Sequence, residues 1–345
     1  MSDLFICVRT IKFRMTSSKF SVLKSTPCSL MATEEVTNIQ ERGSRYVSKA
    51  QSAHLGKLQW SFRSQASSRH PTLRVLCVLR GSLIFPKERA IMNKGTLGKA
   101  NLDVSSLCFG TGTNGWGGRS NQTDLGLNEL ADLLAYAYDK GVTFWDSADQ
   151  YGSHPHVAKA CKIVGRDNVT ITSKTTSRDY EGAKADIDRF LTELQTDCVD
   201  IILMHCLSSD DWPTKCRGAM DALSEAKETG KIRAHGVSCH DYGAFLEASR
   251  SDWVEVVLAR INYGGHNMDG TPEEIIWVLE EMDDNGIGVY GMKVVGAGKL
   301  DHDVRNAIHY VLDLPAIDSI TLGMTSKQQV DENVGWVEEH AGVLA

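Results

Sequence analysis

The sequence predicts an α/β protein: a closed (β/α)8 TIM barrel with a short N-terminal hairpin closing the barrel floor. Strand-like and helix-like segments alternate from residue 105 onward, and the strand-like segments number eight. Their nearly continuous apolar character is typical of parallel strands that are covered on both faces. Residues 92–345 also match the usual barrel size of about 250 residues. We predict strands at 105–109, 142–146, 169–174, 199–205, 232–238, 254–261, 287–292 and 317–322.

The segments between these strands carry apolar residues at spacings of three and four, which is the pattern of an amphipathic helix. Several are followed by a glycine, such as Gly141 and Gly230, where helices commonly end. The segment 94–104 has turn residues at Gly98 and Asn101 and is predicted to form the floor hairpin. A doubly wound open sheet is the main alternative, but no GxGxxG motif follows the first strand.

Charge divides the chain near residue 92. Residues 1–91 carry 15 Lys and Arg against 5 Asp and Glu, whereas the rest carries 22 against 39. We interpret 1–91 as a basic, Ser- and Arg-rich extension that is disordered, with an organellar import sequence as the alternative. We interpret 92–345 as the barrel. Its acidic character disfavours nucleic acid as a partner.

Two further features of composition bear on the compartment. The nine cysteines include no CxxC pair, so free thiols in a reducing compartment are the preferred interpretation. No apolar stretch approaches the roughly 18 residues of a membrane helix. We therefore expect a cytoplasmic protein without a membrane partner, monomeric or weakly associated.

Four polar side chains follow three successive predicted strands. Asp146 and Tyr151 follow the second strand, Lys174 ends the third, and His205 ends the fourth. Taken singly, each residue has a common structural explanation. Asp146 could cap a helix or turn, Tyr151 could cover the end of the barrel, Lys174 could be a solvent-exposed lysine, and His205 could be a hydrogen-bonded core histidine. In a parallel barrel, however, the carboxyl ends of the strands open onto one mouth, where active sites lie. Together the four predict a catalytic site.

These residues lie in motifs that resemble the aldo-keto reductase superfamily. The motifs occur in the family's order, and the resemblance covers 92–333 and none of 1–91. They are LCFGTG at 107–112, DSADQYG at 146–152, TSK at 172–174, LMH at 203–205, GKIRAHGVS at 230–238, and GMTS at 323–326 followed by Glu332-Asn333.

The resemblance implies NAD(P)H-dependent reduction of an aldehyde or ketone, with Asp146, Tyr151, Lys174 and His205 as the catalytic tetrad. Tyr151 would donate the proton, although a phenol is a weak acid with a pKa near 10. A nearby ammonium lowers that pKa, and Lys174 is placed to do so. Asp146 would keep Lys174 charged, while His205 would hydrogen-bond the carbonyl oxygen.

The resemblance also implies NADPH as the cofactor, with NADH as an alternative. Five positions depart from the family's pattern: Cys239 replaces an Asn, Leu258 a Gln that holds the nicotinamide amide, Met292 an aromatic residue that stacks on nicotinamide, Lys293 a Ser, and Gln329 an Arg. That Arg binds the 2′-phosphate in the family, and Lys327 and Lys293 are the candidate substitutes. These departures leave the choice between NADPH and NADH open. The cofactor-binding residues carried over are Gly110, Thr111, Asp146, Ser238, Met292, Gly323, Met324, Thr325, Gln329, Glu332 and Asn333.

Two other functions compete with this one. A metal-dependent barrel hydrolase would use His154 and His156, with His235, Cys239 and His240 as further ligands. A non-catalytic redox sensor would bind the nicotinamide cofactor and regulate a protein partner. We expect no metal site, because His154 lacks the strand-end carboxylate and histidine partners that would complete a metal shell. The four polar residues favour turnover over sensing, with a small carbonyl compound as the substrate.

Overall fold

The computed structural model divides into two units, Met1–Lys87 and Glu88–Ala345. The expectation that residues 1–91 are disordered falls mostly outside the described residues and stays a prediction. The structure describes residues 13–16, 19–22, 49–52, 55–59, 92 and 94–344. In the first unit, antiparallel pairs form between β1 (Phe13–Thr16) and β2 (Lys19–Val22), and between β3 (Lys49–Ser52) and β4 (Leu55–Gln59).

The second unit is a closed barrel of eight parallel strands, in the order β10-β11-β12-β13-β14-β7-β8-β9. Pairing of β14 with β7 closes the barrel. The predicted (β/α)8 fold is confirmed, and all eight strands were identified correctly from the sequence. They are β7 (Leu107–Gly110), β8 (Phe144–Asp146), β9 (Thr170–Thr175), β10 (Val199–Leu207), β11 (Ile232–Cys239), β12 (Val256–Arg260), β13 (Gly288–Met292) and β14 (Ser319–Gly323).

Helices surround the strands, and their predicted apolar stripes face the barrel. In the first helix Leu130 and Leu134 are fully buried, whereas Leu127, its first residue, is exposed. No helix in the described part of the chain is both long and apolar enough to cross a bilayer. The helices are α1 (Leu127–Asp139), α2 (His154–Val164), α3 (Tyr180–Leu194), α4 (Trp212–Lys215), α5 (Arg217–Glu228), α6 (Tyr242–Ser249), α7 (Pro272–Asp284), α8 (Val304–Leu312) and α9 (Lys327–Leu344).

Alternate residues of each strand point into the barrel, because side chains in a β-strand alternate between its two faces. The outward residues pack under the helices in one large core. The inward residues form a second core, which includes Cys108, Phe144, Ile201, Leu203, Ala234, Val256, Leu258 and Tyr290. Two residues further along their strands, the same inward face carries Gly110, Asp146, His205, Arg260 and Met292.

The predicted floor hairpin is confirmed as β5 (Lys94–Leu97) paired antiparallel with β6 (Leu102–Ser105). Leu97, Leu102 and Val104 belong to the inward core. A Cβ on Gly98 would lie 2.3 Å from the nitrogen of Gly288, so only glycine permits this close contact with the start of β13. The hairpin thereby fills the amino-terminal end of the barrel.

Candidate functional site

A buried ion pair between Lys174 and Asp146 lies at the centre of the barrel mouth. The ammonium nitrogen Nζ is 2.7 and 2.6 Å from the two carboxylate oxygens and 2.9 Å from the carbonyl oxygen of Ser147. Lys174 is fully buried and Asp146 nearly so. Burial alone would lower the pKa of Lys174, but the charges of Asp146 and Tyr151 raise it. The net direction is upward, which favours the charged ammonium form of Lys174.

The Tyr151 ring lies next to this ion pair. It ends a short 3-10 turn, Asp149–Tyr151, that follows β8. The Lys174 Nζ is 5.0 Å from the centroid of its ring. The ring rests on two glycines: a Cβ on Gly112 would lie 2.2 Å from it, and one on Gly115 would lie 2.4 Å from it. The glycine-rich loop after β7 thus provides a surface that fixes the Tyr151 ring.

The acidity of Tyr151 differs from the expectation. Burial raises its pKa above the usual value, and this is the largest effect. Lys174 lowers the pKa through its charge and a hydrogen bond, as predicted, but Asp146 and Cys206 raise it further. The net direction is upward. Sequence motifs identify the neighbouring cation, but they do not reveal how strongly burial opposes it.

His205 completes the group. Its ring meets the Tyr151 ring edge-on, with centroids 5.8 Å apart and an interplanar angle of 85°. Burial, followed by the charge of Lys174, lowers the pKa of His205 to about 2, so its imidazole is neutral. Its buried Nδ1 has no hydrogen-bond partner among the described residues. A neutral imidazole beside a phenol can hydrogen-bond a carbonyl oxygen without adding charge.

The sequence interpretation missed Tyr290. Its hydroxyl donates a 2.8 Å hydrogen bond to Asp146 Oδ2, the carboxylate oxygen that also contacts Lys174. The Tyr290 side chain is fully buried in the inward core. Its only sequence signal is a hydroxyl-bearing residue inside an apolar strand, two positions before the strand ends. Tyr290 thus helps to hold the Asp146 carboxylate in place through a hydrogen bond from the barrel interior.

Three of the residues expected to contact a nicotinamide lie around the same mouth. Gly110 ends β7, Met292 ends β13, and Ser238 is the last but one residue of β11. The Ser238 hydroxyl is buried and has no hydrogen-bond partner in the described part of the chain. A buried hydroxyl without a partner is costly. It fits the amide of a nicotinamide, which would supply one.

Thr111 and Gly323 are held by contacts within the protein. The Thr111 hydroxyl donates to the Asp146 carbonyl oxygen at 2.8 Å and bonds the Ser153 hydroxyl at 2.8 Å. A Cβ on Gly323 would lie 1.9 Å from Thr113 Oγ1. These contacts join the ends of β14, β7 and β8 at the edge of the mouth.

The remaining expected cofactor residues lie just before α9 or in its first two turns. Gln329 Oε1 accepts hydrogen bonds from the Thr325 backbone nitrogen at 2.7 Å and hydroxyl at 3.2 Å. Glu332 is exposed and Asn333 is buried. Met324 is completely buried in the outer core, so its side chain does not face the mouth. The start of a helix favours phosphate groups, because its first backbone N–H groups lack partners within the helix.

The structure gives no support to the metal-ligand hypothesis. His154 begins α2, and both ring nitrogens are already bonded: Nδ1 to Glu193 at 2.6 Å and Nε2 to Ser173 at 2.8 Å. His235 stacks on Trp253 with ring centroids 4.3 Å apart. Among the residues that the structure describes, no group of three or more His, Cys, Asp and Glu could hold a metal ion.

Comparisons with known proteins show which family this chain resembles. A sequence model of the aldo/keto reductase family matches residues 106–309. L-galactose dehydrogenase of Arabidopsis thaliana is 25% identical over 288 residues, covering 70% of this chain and 87% of that protein. An aldo-keto reductase of Schizosaccharomyces pombe designated yakc, NADP(+), is 29% identical over 122 residues, covering 31% and 35%.

Solved structures share the fold. The holo form of an aldo-keto reductase from Bacillus halodurans superposes with a TM-score of 0.59 at 22% identity, covering 74% of this chain and 96% of that one. The family match extends over more than half of the sequence and includes three strand ends that carry the polar group. This chain therefore belongs to the aldo/keto reductase family of nicotinamide-dependent oxidoreductases.

Proposed function

We propose that the protein reduces an aldehyde or ketone to an alcohol, with NADPH or NADH as the hydride donor and Tyr151 as the proton donor. One observation carries the proposal: a buried, charged Lys174 lies 5.0 Å from the Tyr151 ring centroid, and His205 faces the same ring. A phenol, a cation and a neutral imidazole thus surround the space in which the carbonyl oxygen of a substrate would become negatively charged during reduction.

Each residue has a distinct task. Lys174 stabilises negative charge on the Tyr151 oxygen after the proton leaves, because an adjacent cation favours the ionised form. The Asp146 carboxylate holds the ammonium in place with both oxygens. His205 is neutral and positions the carbonyl oxygen through a hydrogen bond. Preorganised donors of this kind stabilise the oxyanion that develops in the transition state.

The cofactor, when bound, supplies the hydride. Ser238 would hold the nicotinamide amide through its free hydroxyl, and the short loop beyond β7 would pass beside the ribose. The start of α9 would receive phosphate groups. NADPH is the proposed cofactor because of the family resemblance and the NADP(+)-designated relative. Action on a small carbonyl substrate in the cytoplasm, as a monomer or weak oligomer and without nucleic-acid or membrane partners, completes the proposal.

The test is oxidation of NADPH and NADH against a panel of aldehydes and ketones. Tyr151→Phe is compared with Tyr180→Phe, a change at the half-buried first residue of α3, whose hydroxyl bonds Glu225 and not the ion pair. We expect Tyr151→Phe to lose about 10²- to 10⁴-fold in kcat, the usual contribution of a general acid, and the control to match the wild type. NADPH deuterated at C4 should transfer its label to the alcohol carbon.

Equal rates in the wild type and Tyr151→Phe would show that Tyr151 is not the proton donor. Tight cofactor binding with no turnover of any compound in the panel would favour the redox-sensor function instead.

A further inference from the structure

A second set of polar side chains lies across the mouth from the catalytic group. Arg260 is the last residue of β12. Val256 and Leu258 belong to the inward core, so strand alternation directs Arg260 inward as well. On β10 the inward residues Ile201 and Leu203 are followed by His205 in the same way. Arg260 therefore belongs to the upper inward layer of the barrel, together with His205.

The guanidinium of Arg260 is only partly satisfied by the protein. Its Nη1 is 3.1 Å from the buried carboxylate of Asp269. Its Nε is buried and has no hydrogen-bond partner among the described residues. The Asp269 contact orients the planar guanidinium, and the unused N–H remains available for another acceptor. A buried donor without an acceptor costs stability, so a bound acceptor would relieve that cost.

A second cation lies next to it. Met292 pairs in register with Arg260, and Lys293 follows directly, with a left-handed backbone (φ 60°). Lys293 is half-buried, and no acidic side chain pairs with it within the part of the chain that the structure describes. Burial lowers the pKa of Lys293, and the charge of Arg260 lowers it further. Among the described residues, these two neighbouring cations therefore have one carboxylate partner between them, Asp269, and it pairs with Arg260.

We propose that Arg260 and Lys293 form an anion subsite that binds a carboxylate on the carbonyl substrate. A guanidinium presents several donors in one plane and matches the geometry of a carboxylate. The substrate class is then short oxo acids, in which a carboxylate and a reducible carbonyl are separated by a few carbons. This inference rests on the proposed function, because the carbonyl must reach Tyr151 and His205.

The electrostatics of the neighbouring groups agree. Burial is the largest effect that lowers the pKa of His240, to about 4, and Arg260 and Lys293 lower it further. Arg260 also contributes to the low pKa of His205. Arg260 thus acts on both His205 and His240, whereas Lys293 acts on His240, whose ring centroid is 6.4 Å from that of His205. A phosphate group of the cofactor could bind the same two cations, because it also presents anionic oxygens. The experiment below distinguishes a substrate carboxylate from a cofactor phosphate.

The test compares 4-oxobutanoate with its methyl ester as substrates of the full-length protein, together with Kd for NADPH from fluorescence titration. We expect the wild type to prefer the acid. Lys293→Met and Arg260→Met should each lower kcat/KM for the acid by about 10- to 100-fold, the worth of a hydrogen bond to a charged group. The ester should change by less than about threefold. Arg260→Lys keeps the charge and should retain part of the preference.

Arg260→Met leaves the buried Asp269 carboxylate without its partner and could therefore impair folding. Lys293→Met avoids this problem, since Lys293 has no ion-pair partner in the described residues. Arg217→Met, at an exposed helix position, is the matched control and should behave as the wild type does. Equal kcat/KM for acid and ester in the wild type would overturn the subsite. If Lys293→Met and Arg260→Met lowered kcat/KM equally for the acid and the ester and also weakened NADPH binding, the two cations would belong to the cofactor site. That result would also overturn the substrate subsite.

Calorimetric titration with pentanoate and pentanamide, in the presence of NADP(+), makes the subsite testable without turnover. Binding of pentanoate but not pentanamide, lost in Lys293→Met, supports the subsite even if no carbonyl compound is reduced. In that event the proposed function fails alone. Absence of pentanoate binding to the wild type overturns the subsite, whatever the rates on other substrates.

Discussion

The buried pair of Lys174 and Asp146 makes a quantitative prediction about stability. Removing one member of a buried ion pair leaves the other without compensation, which typically costs about 3–5 kcal/mol. We therefore expect Lys174→Met and Asp146→Asn each to lower the free energy of unfolding by about that amount. Lys174 Nζ has three close oxygen partners, so the loss should be near the upper end.

The double variant is more informative than either single change. With both charges gone, no buried charge remains without a partner, so the loss should resemble that of one single variant rather than the sum of two. Residues in direct contact commonly show interaction energies of about 0.5–3 kcal/mol. We expect this pair to exceed that range at about 3–5 kcal/mol, the loss of one single variant, because Lys174 is fully buried and Asp146 nearly so.

Urea denaturation at pH 7, followed by far-ultraviolet circular dichroism and by tryptophan fluorescence, measures all four proteins. The surface pair of Lys231 and Asp188, 2.6 Å apart but well exposed, is the control, and its cycle should give less than about 1 kcal/mol. Additive losses in the double variant of the buried pair would refute the reasoning.

Three further predictions concern the same site. Gly112→Ala should abolish most activity while the protein still folds, since the added Cβ would lie 2.2 Å from the Tyr151 ring. Gly335→Ala, where a Cβ meets no atom within 4 Å, is the control and should keep the wild-type rate. Equal rates in Gly112→Ala and the wild type would show that Gly112 does not position the Tyr151 ring. Tyr290→Phe should lower the free energy of unfolding by about 1.5–3 kcal/mol, because a buried hydrogen bond to a charged group is lost; an unchanged urea midpoint would contradict this. His205 has a folded pKa of about 2, below the unfolded value near 6.5, so its contribution is complete above about pH 6.5 and falls as the pH decreases. At pH 5 the loss should be about 2 kcal/mol, and His205→Gln should show a flatter stability profile between pH 7 and 5.

The barrel was readable from the sequence because its signals are local. Each strand is a short apolar run, each helix repeats its apolar residues at intervals of three and four, and glycines such as Gly141 and Gly230 follow helix ends with a positive φ. In a parallel barrel every strand end faces the same mouth. The positions of Asp146, Lys174 and His205 along the chain therefore sufficed to predict that they meet.

Tertiary structure decided what depends on burial and on contacts between distant strands. The bond from Tyr290 to Asp146 joins residues 144 positions apart, and nothing local to β13 specifies it. The pKa of Tyr151 moves upward because burial exceeds the effect of the neighbouring ammonium, and a sequence does not show depth. The sequence by itself determined which chemical groups gather at the mouth. Only packing determined their protonation, because the cost of charge depends on how much solvent the fold removes.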